Sequence, residues 1–312
     1  MVNKTKILLI ALISAVLVIA ALSVFLVIKN NEIKALEDQN KTLSAYAMAV
    51  PEYEYIDEDA EYITIDDSYL GEISLNPLPG VAKNSYDYDF LEYENGRFSY
   101  AVDGIKTSAT GVDVSHYNES IDWTAVKADG VDFAMIRLGY RGYEEGVIKE
   151  DPKALEYIEG ATSAGLDVGV YFYTQAINVD EALEEAEWVL DKIKPYELTY
   201  PVVLDIEITS AENVRANDIS GAMQNDIAEA FCERIKEDGY RPMIYANKRM
   251  AYLKLDMSRL SKYDFWIAEW SDKAPPDFAY DFRIWQYSTE GEVDGISTPV
   301  DLNICFYHYG LE

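Results

Sequence analysis

Asp205 and Glu207 stand two residues apart in the run Pro201-Val202-Val203-Leu204-Asp205-Ile206-Glu207. If that run is a β-strand, residues i and i+2 point to the same side. Both acids then project together, while Val202, Leu204 and Ile206 face the other way. Asp113 ends another apolar run in the same manner, between Val112 and Val114. A carboxylate inside an apolar strand is expensive to bury unless something uses it. Asp-x-Glu alone also describes a solvated strand end. Two strand ends carrying inward acids favour a functional cluster. Paired carboxylates suit cleavage of a glycosidic bond. One is protonated and donates to the leaving oxygen; the other stays ionised and stabilises an oxocarbenium-like centre or orients a nucleophile. Adjacent like charges push the two pKa values apart.

Such acids need a scaffold that holds strand ends together. From about residue 110, short apolar runs alternate with helical patterns. Strands are predicted at 111–114, 131–138, 168–174, 201–207 and 242–246. Residues 179–193 read as a helix: Asn178 caps it, Glu181 follows three residues on, and Ala182, Ala186, Val189 and Ile193 form one stripe. Residues 221–238 put Met223, Ile227, Ala230, Phe231 and Ile235 on one face, with Gly239 as the stop. Three further strands, near 264–269, 282–287 and 300–306, follow with short connections. Alternating strands and helices imply parallel strands with right-handed crossovers. Five strand–helix units plus three strands make an irregular α/β barrel of the TIM-like kind. Barrel enzymes place their chemistry at the C-terminal strand ends, where these acids fall. A doubly wound open sheet is the alternative, but no strand–helix junction carries a Gly-rich phosphate loop.

Composition agrees with a folded enzyme. Of 312 residues, 49% are hydrophobic and 25 are Tyr, which excludes global disorder. The net charge of −30 argues against a nucleic-acid partner. Two Cys and two His argue against a disulfide scaffold and a His-rich metal site, and neither metal nor cofactor is expected. Cys232, in a helix, and Cys305, in the last strand, read as buried thiols, with a disulfide as the alternative. Trp123 and Trp188 read as core, and His116 as a loop contact.

The chain divides further upstream. Residues 7–28 contain only Ser14 and Ser23 as polar residues. At ~1.5 Å per residue they reach ~33 Å, enough to cross a bilayer core. A cleaved signal has a shorter apolar region, so an uncleaved signal anchor is expected, with residues 29–312 outside the cell membrane. Residues 29–50 read as a helical stalk in which Ile33, Leu36, Asn40 and Leu43 form a short a/d seam, a basis for weak self-association. Residues 51–67 hold eight acids and no base and read as a self-repelling spacer. Residues 91–100 read as a hairpin about Asn95-Gly96. The organisation is therefore 1–28 anchor, 29–50 stalk, 51–107 linker and hairpin, and 108–312 barrel.

Several segments of the barrel resemble a known family. They are Gly111-Val112-Asp113-Val114-Ser115-His116-Tyr117-Asn118, Ile121-Asp122-Trp123, Phe133-Ala134-Met135-Ile136-Arg137, Gly169-Val170-Tyr171-Phe172, Tyr200 to Glu207, Trp285-Gln286-Tyr287 and Val300-Asp301-Leu302-Asn303. In order and spacing this set resembles the family 25 glycoside hydrolases, the Chalaropsis-type lysozymes or N-acetylmuramidases. The resemblance implies a barrel of five strand–helix units and three strands. It also implies cleavage of the β-1,4 bond from N-acetylmuramic acid to N-acetylglucosamine in peptidoglycan glycan strands. By motif, Glu207 is the general acid and Asp205 stabilises the reacting sugar through its 2-acetamido group. Asp113 and Asp301 complete the cluster, with Asp294 the rival for the last place. Tyr171, Tyr245, Trp285 and Tyr287 line the sugar groove. Glu269 stands where the family commonly has Gln, and either shifts the pH optimum or faces solvent. A non-catalytic wall-binding or scaffold protein on a retained barrel is the alternative function.

Overall fold

The computed structural model describes residues 29, 33, 34, 62–67, 71–209, 211–270, 273–307 and 309. The chain forms two units, Met1–Ser44 and Ala45–Glu312. In the first, Lys29, Ile33 and Lys34 are helical. The span expected at residues 7–28 and the stalk residues Leu36, Asn40 and Leu43 lie outside the described residues. Among the described residues no helix is long and apolar enough to cross a membrane.

Among the described residues, two small sheets precede the barrel in the second unit. Strands β1 (Ile63–Asp67) and β2 (Gly71–Leu75) pair antiparallel. Part of the predicted acidic spacer is thus a strand. Ile63 and Ile65 alternate with polar neighbours, and Ile65 is buried. Strands β3 (Leu91–Glu94) and β4 (Arg97–Val102) form the hairpin expected about Asn95-Gly96, whose φ values of 52° and 82° suit a type I′ turn. A second such turn at Asp103-Gly104 leads to β5 (Ile105–Lys106). The sheet is not a free linker. Phe98 is buried with its ring 4.8 Å from Trp285 and 5.1 Å from Tyr287. Tyr86 stacks on Phe306 at 4.2 Å and donates to the Phe282 carbonyl at 2.7 Å.

The barrel follows. Its elements are β6 (Ala109–Val114), α1 (Trp123–Ala128), β7 (Phe133–Arg141), β8 (Ile148–Glu150), α2 (Ala154–Ser163), β9 (Asp167–Tyr173), α3 (Val179–Ile193), β10 (Val202–Asp205), α4 (Gly221–Glu237), β11 (Pro242–Asn247), α5 (Lys248–Leu253), α6 (Met257–Leu260), β12 (Asp264–Ala268), β13 (Ile284–Gly291) and β14 (Val300–Cys305). Among the described residues, the sheet runs β6-β14-β13-β12-β11-β10-β9-β7 and closes through β6–β7, with β8 added to β7. Eight strands therefore make the ring. Seven run in one direction, and β14 is antiparallel to both neighbours.

Helix limits follow from local chemistry. The Asn178 side chain accepts from the Glu181 amide at 2.9 Å and opens α3. The Ser220 side chain accepts from the Met223 amide and opens α4, and Gly239 at φ 88° follows its end. Trp123 is a buried core residue, edge-on to Tyr157, whereas Trp188 is half-buried and packs on Phe172 at the edge of the core. Cys232 and Cys305 are buried and free, not disulfide-bonded.

The strands alternate between two cores. Outward residues such as Val112, Ile136, Val170, Leu204 and Ile267 meet the helices. Inward residues Phe133, Met135, Val203, Met243, Trp266 and Ile284 fill the barrel. Filling is tight at its floor: Phe133 stacks on Tyr200 at 4.5 Å, and a Cβ on Gly111 would lie 2.1 Å from the Phe133 ring. Any side chain at position 111 would displace that ring.

Candidate active site

The inward set continues upward from apolar to acidic. Above Val203 comes Asp205, and above Gly111 comes Asp113. At Asp205 the strand ends, and Ile206 turns back into the outer core while Glu207 continues to the mouth. The Ile206 amide donates to the Tyr245 carbonyl at 3.0 Å, which fixes this exit. Asp301 arrives differently. Because β14 runs against the others, its first residues lie at their C-terminal ends, and Asp301 pairs in register with Asp113. A cavity of about 260 Å³ gathers Asp113, Asp205, Glu207 and Asp301 with Tyr171 and Tyr245. All four predicted acids therefore meet.

Trp285 and Tyr287 do not. Gln286 points inward, so its neighbours point outward, where they lie buried against Phe98 of the β3–β4 hairpin. The expectation that they line the groove is corrected by this alternation. Asp294 is also elsewhere. It borders a larger groove of about 920 Å³, beside the β3–β4 hairpin and the 290–299 loop, which holds none of the four acids. Its amide donates to Asp129 Oδ2 at 3.1 Å. Asp294→Asn should leave hydrolysis near wild type, whereas Asp301→Asn should reduce it strongly; comparison of initial rates checks this, and the reverse order would reassign the fourth acid.

Residues to which the sequence reading assigns no role in the site complete it. Asn303 Nδ2 and Gln286 Nε2 donate to Asp113 Oδ2 at 2.7 and 2.9 Å. Trp266 Nε1 fixes Asn303 by donating to its Oδ1 at 2.8 Å. Arg137 lies in the cavity, held by Asp151, to which its Nε donates at 2.9 Å. Asp151 also accepts from the His116 amide at 3.1 Å and lies 3.0 Å from its Nδ1. His116 is thus a loop contact that braces Arg137 rather than a member of the acid cluster. Tyr117, Tyr143, Tyr173 and Thr209 line the same cavity. The signal for Gln286 and Asn303 was their inward parity on β13 and β14. Glu269 lies apart from the acids, paired with Lys248 at 2.7 Å and accepting from the Asp277 amide at 3.2 Å.

Electrostatics follows from this packing. Burial raises Asp205, and the charges of Glu207 and Asp113 raise it further, while Arg137 opposes them. Burial and the Asp113 charge push Glu207 up to about 7, against a hydrogen bond from Tyr245. Burial, the Asp113 charge and the hydrogen bond to Asp113 push Asp301 up to about 9. Asp113 is itself raised by burial, against hydrogen bonds from Asn303, Gln286 and Asp301 that oppose the rise, so the Asp113–Asp301 pair holds its proton more tightly than free carboxyls do. One further feature stands out: Asp205 Oδ1 is buried with no hydrogen-bond partner in the protein. A buried carboxylate oxygen without a donor is costly unless a ligand supplies one. Burial and like charges thus raise both acids, Glu207 to about 7 and Asp205 well above the usual carboxylate range, and the bare Asp205 Oδ1 beside Glu207 awaits a donor from a ligand.

Comparison with known proteins agrees with this geometry. Residues 112–296 match the family described as glycosyl hydrolases family 25. The chain is 28% identical to "Lysozyme M1" of Streptomyces globisporus, over 62% of this chain and 66% of that one. It is 27% identical to the "Autolytic lysozyme" of Clostridium acetobutylicum, over 62% of this chain but about half (54%) of that one. The crystal structure of a bacterial lysozyme from Streptomyces coelicolor superposes with a TM-score of 0.51 at 26% identity, covering 62% of this chain and 90% of that one.

Proposed function

From the premise that this chain belongs to family 25 of the glycosyl hydrolases, and is a glycosidase, we propose that it hydrolyses peptidoglycan as an N-acetylmuramidase. The observation that carries the reading is the pairing of a protonatable Glu207 with the donorless Oδ1 of Asp205 in one cavity. The lysozyme relatives support the substrate class. Glu207 donates its proton to the glycosidic oxygen as the bond to the leaving sugar breaks. Asp205 accepts a hydrogen bond from the 2-acetamido N–H of the reacting sugar and opposes the positive charge that develops at its anomeric carbon. Burial and the charges of Glu207 and Asp113 raise Asp205, and Arg137 opposes them in favour of the ionised form that this role needs. Asp113, fixed by Asn303 and Gln286, holds the opposite wall and keeps Glu207 protonated to higher pH.

The pH dependence tests this assignment. Glu207 works in its protonated form, and its pKa is raised to about 7. Activity should therefore be greatest below neutrality and decline as pH rises through about 7. Release of reducing ends from purified peptidoglycan across pH 4–10 measures it. A profile still climbing above pH 8 contradicts the assignment.

The same proposal places the enzyme at the cell surface. Its support is the apolar stretch at residues 7–28, which would tether the domain outside the membrane. Full-length protein should sediment with membranes and be open to protease from outside. A mature protein beginning near residue 48 and free in the medium would overturn the tether.

A further inference from the structure

Tyr117, Tyr143 and Trp270 are large aromatic side chains exposed in or beside the cavity, and the last two are held in place on opposite sides of it. Trp270, two residues past the end of β12, is 59% exposed, yet its Nε1 donates to Gln286 Oε1 at 3.1 Å. Tyr143, two residues past β7, is 40% exposed and lines the cavity, with Tyr173 edge-on at 6.0 Å.

The Tyr143 loop is fastened from beneath. Its carbonyl accepts from the Arg215 amide at 3.1 Å, and Arg141 Nη1 donates to the Gly146 carbonyl at 2.6 Å. Arg141 is buried and held by Glu185 at 2.7 Å, which in turn accepts from Thr174 at 2.6 Å. A buried ion pair seldom repays its desolvation in stability alone. Here it fixes a surface loop, and the proposed chemistry uses none of its members.

Strand order gives these two aromatics a direction. Around the ring β6-β7-β9-β10-β11-β12-β13-β14, strands β7 and β12 lie four apart and so on opposite sides. Strands β10 and β14, which carry Asp205 and Asp301, are also four apart and lie midway between the first pair. The Tyr143–Trp270 line therefore crosses the line of the carboxylates at about a right angle in an eight-membered ring. A pyranose ring has an apolar C–H face that stacks on an aromatic ring, while its hydroxyls stay wet, and a rigid aromatic loses little entropy on contact.

We propose that the glycan strand crosses the mouth from Tyr143 to Trp270, with a sugar stacked at each pole and the scissile bond passing between the two carboxylate walls. This rests on the peptidoglycan reading above and adds the path of the polymer. Calorimetric titration in the Glu207→Gln background, with an alternating N-acetylglucosamine–N-acetylmuramic acid disaccharide and hexasaccharide, tests it. Adding Trp270→Ala or Tyr143→Ala should each weaken hexasaccharide binding about tenfold, or about 1.4 kcal/mol. Distant poles act independently, so the two losses should multiply to about a hundredfold. Disaccharide binding should change less than about twofold. Trp270→Phe keeps a ring but loses the bond to Gln286, and should recover most of the affinity; failure to recover would show that Trp270 acts only by positioning Gln286 and would overturn its pole. Unchanged hexasaccharide affinity in either alanine variant overturns the path while leaving the substrate reading intact. A Glu207→Gln protein that binds neither sugar, beside a wild type that does not cleave peptidoglycan, removes the substrate reading and the path together.

Discussion

Glu207→Gln is expected to lower peptidoglycan hydrolysis by about 10²–10⁴-fold, the usual weight of a positioned proton donor. The substitution keeps the shape of the side chain and removes only its titratable proton. Sugar binding should persist. Fold stability provides an internal control. Because burial raises Glu207 to about 7, above its ordinary value of 4.5, the folded state holds that proton more tightly than the unfolded chain does. Its contribution is fully present below about pH 4.5 and is lost as pH rises through about 7. At pH 8 the variant should therefore melt no lower than wild type. Initial rates with purified peptidoglycan, beside melting curves at pH 5 and 8, measure both. A folded Glu207→Gln protein with near-wild-type turnover would remove Glu207 from the chemistry.

Asp205→Asn should lose nearly as much, about 10²–10³-fold, for a different reason. Asparagine matches the volume but brings an N–H₂ group and no charge. The unpartnered Oδ1 is the atom that matters. With its charge gone, the cavity loses the carboxylate assigned to the positive sugar, and Arg137 faces a neutral group. The effect should fall on kcat, since the charge is needed in the transition state more than in the bound state. The double variant should not show the product of both losses, because the two residues act on one step. Additive losses would mean that Asp205 serves another step or only the fold.

The acids of the site were readable because strand parity is a local rule. The alternation that turns Val202, Leu204 and Ile206 outward brings Asp205 inward, and the structure keeps that arrangement. The same rule, applied to Trp285-Gln286-Tyr287 with Gln286 inward, turns both aromatics out of the groove; their expected place there rests on resemblance alone. Asp301 reaches the mouth only because β14 is antiparallel, a feature that no local pattern in residues 300–306 displays. Residues that act through long-range contacts were not legible. Arg137 depends on Asp151, Asn303 on Trp266, and the Tyr143 loop on Glu185, which sits inside the apolar stripe of α3. The β3–β4 hairpin was visible from Asn95-Gly96, but its packing on Trp285 was not, since both partners needed a known direction first.

The most direct test is mass spectrometry of peptidoglycan digested by the protein, with the new ends reduced before analysis. Fragments ending in reduced N-acetylmuramic acid are predicted, because the proposed cut leaves that sugar as the reducing end. Fragments ending in reduced N-acetylglucosamine, or a wall left intact by folded protein below pH 7, would contradict the account.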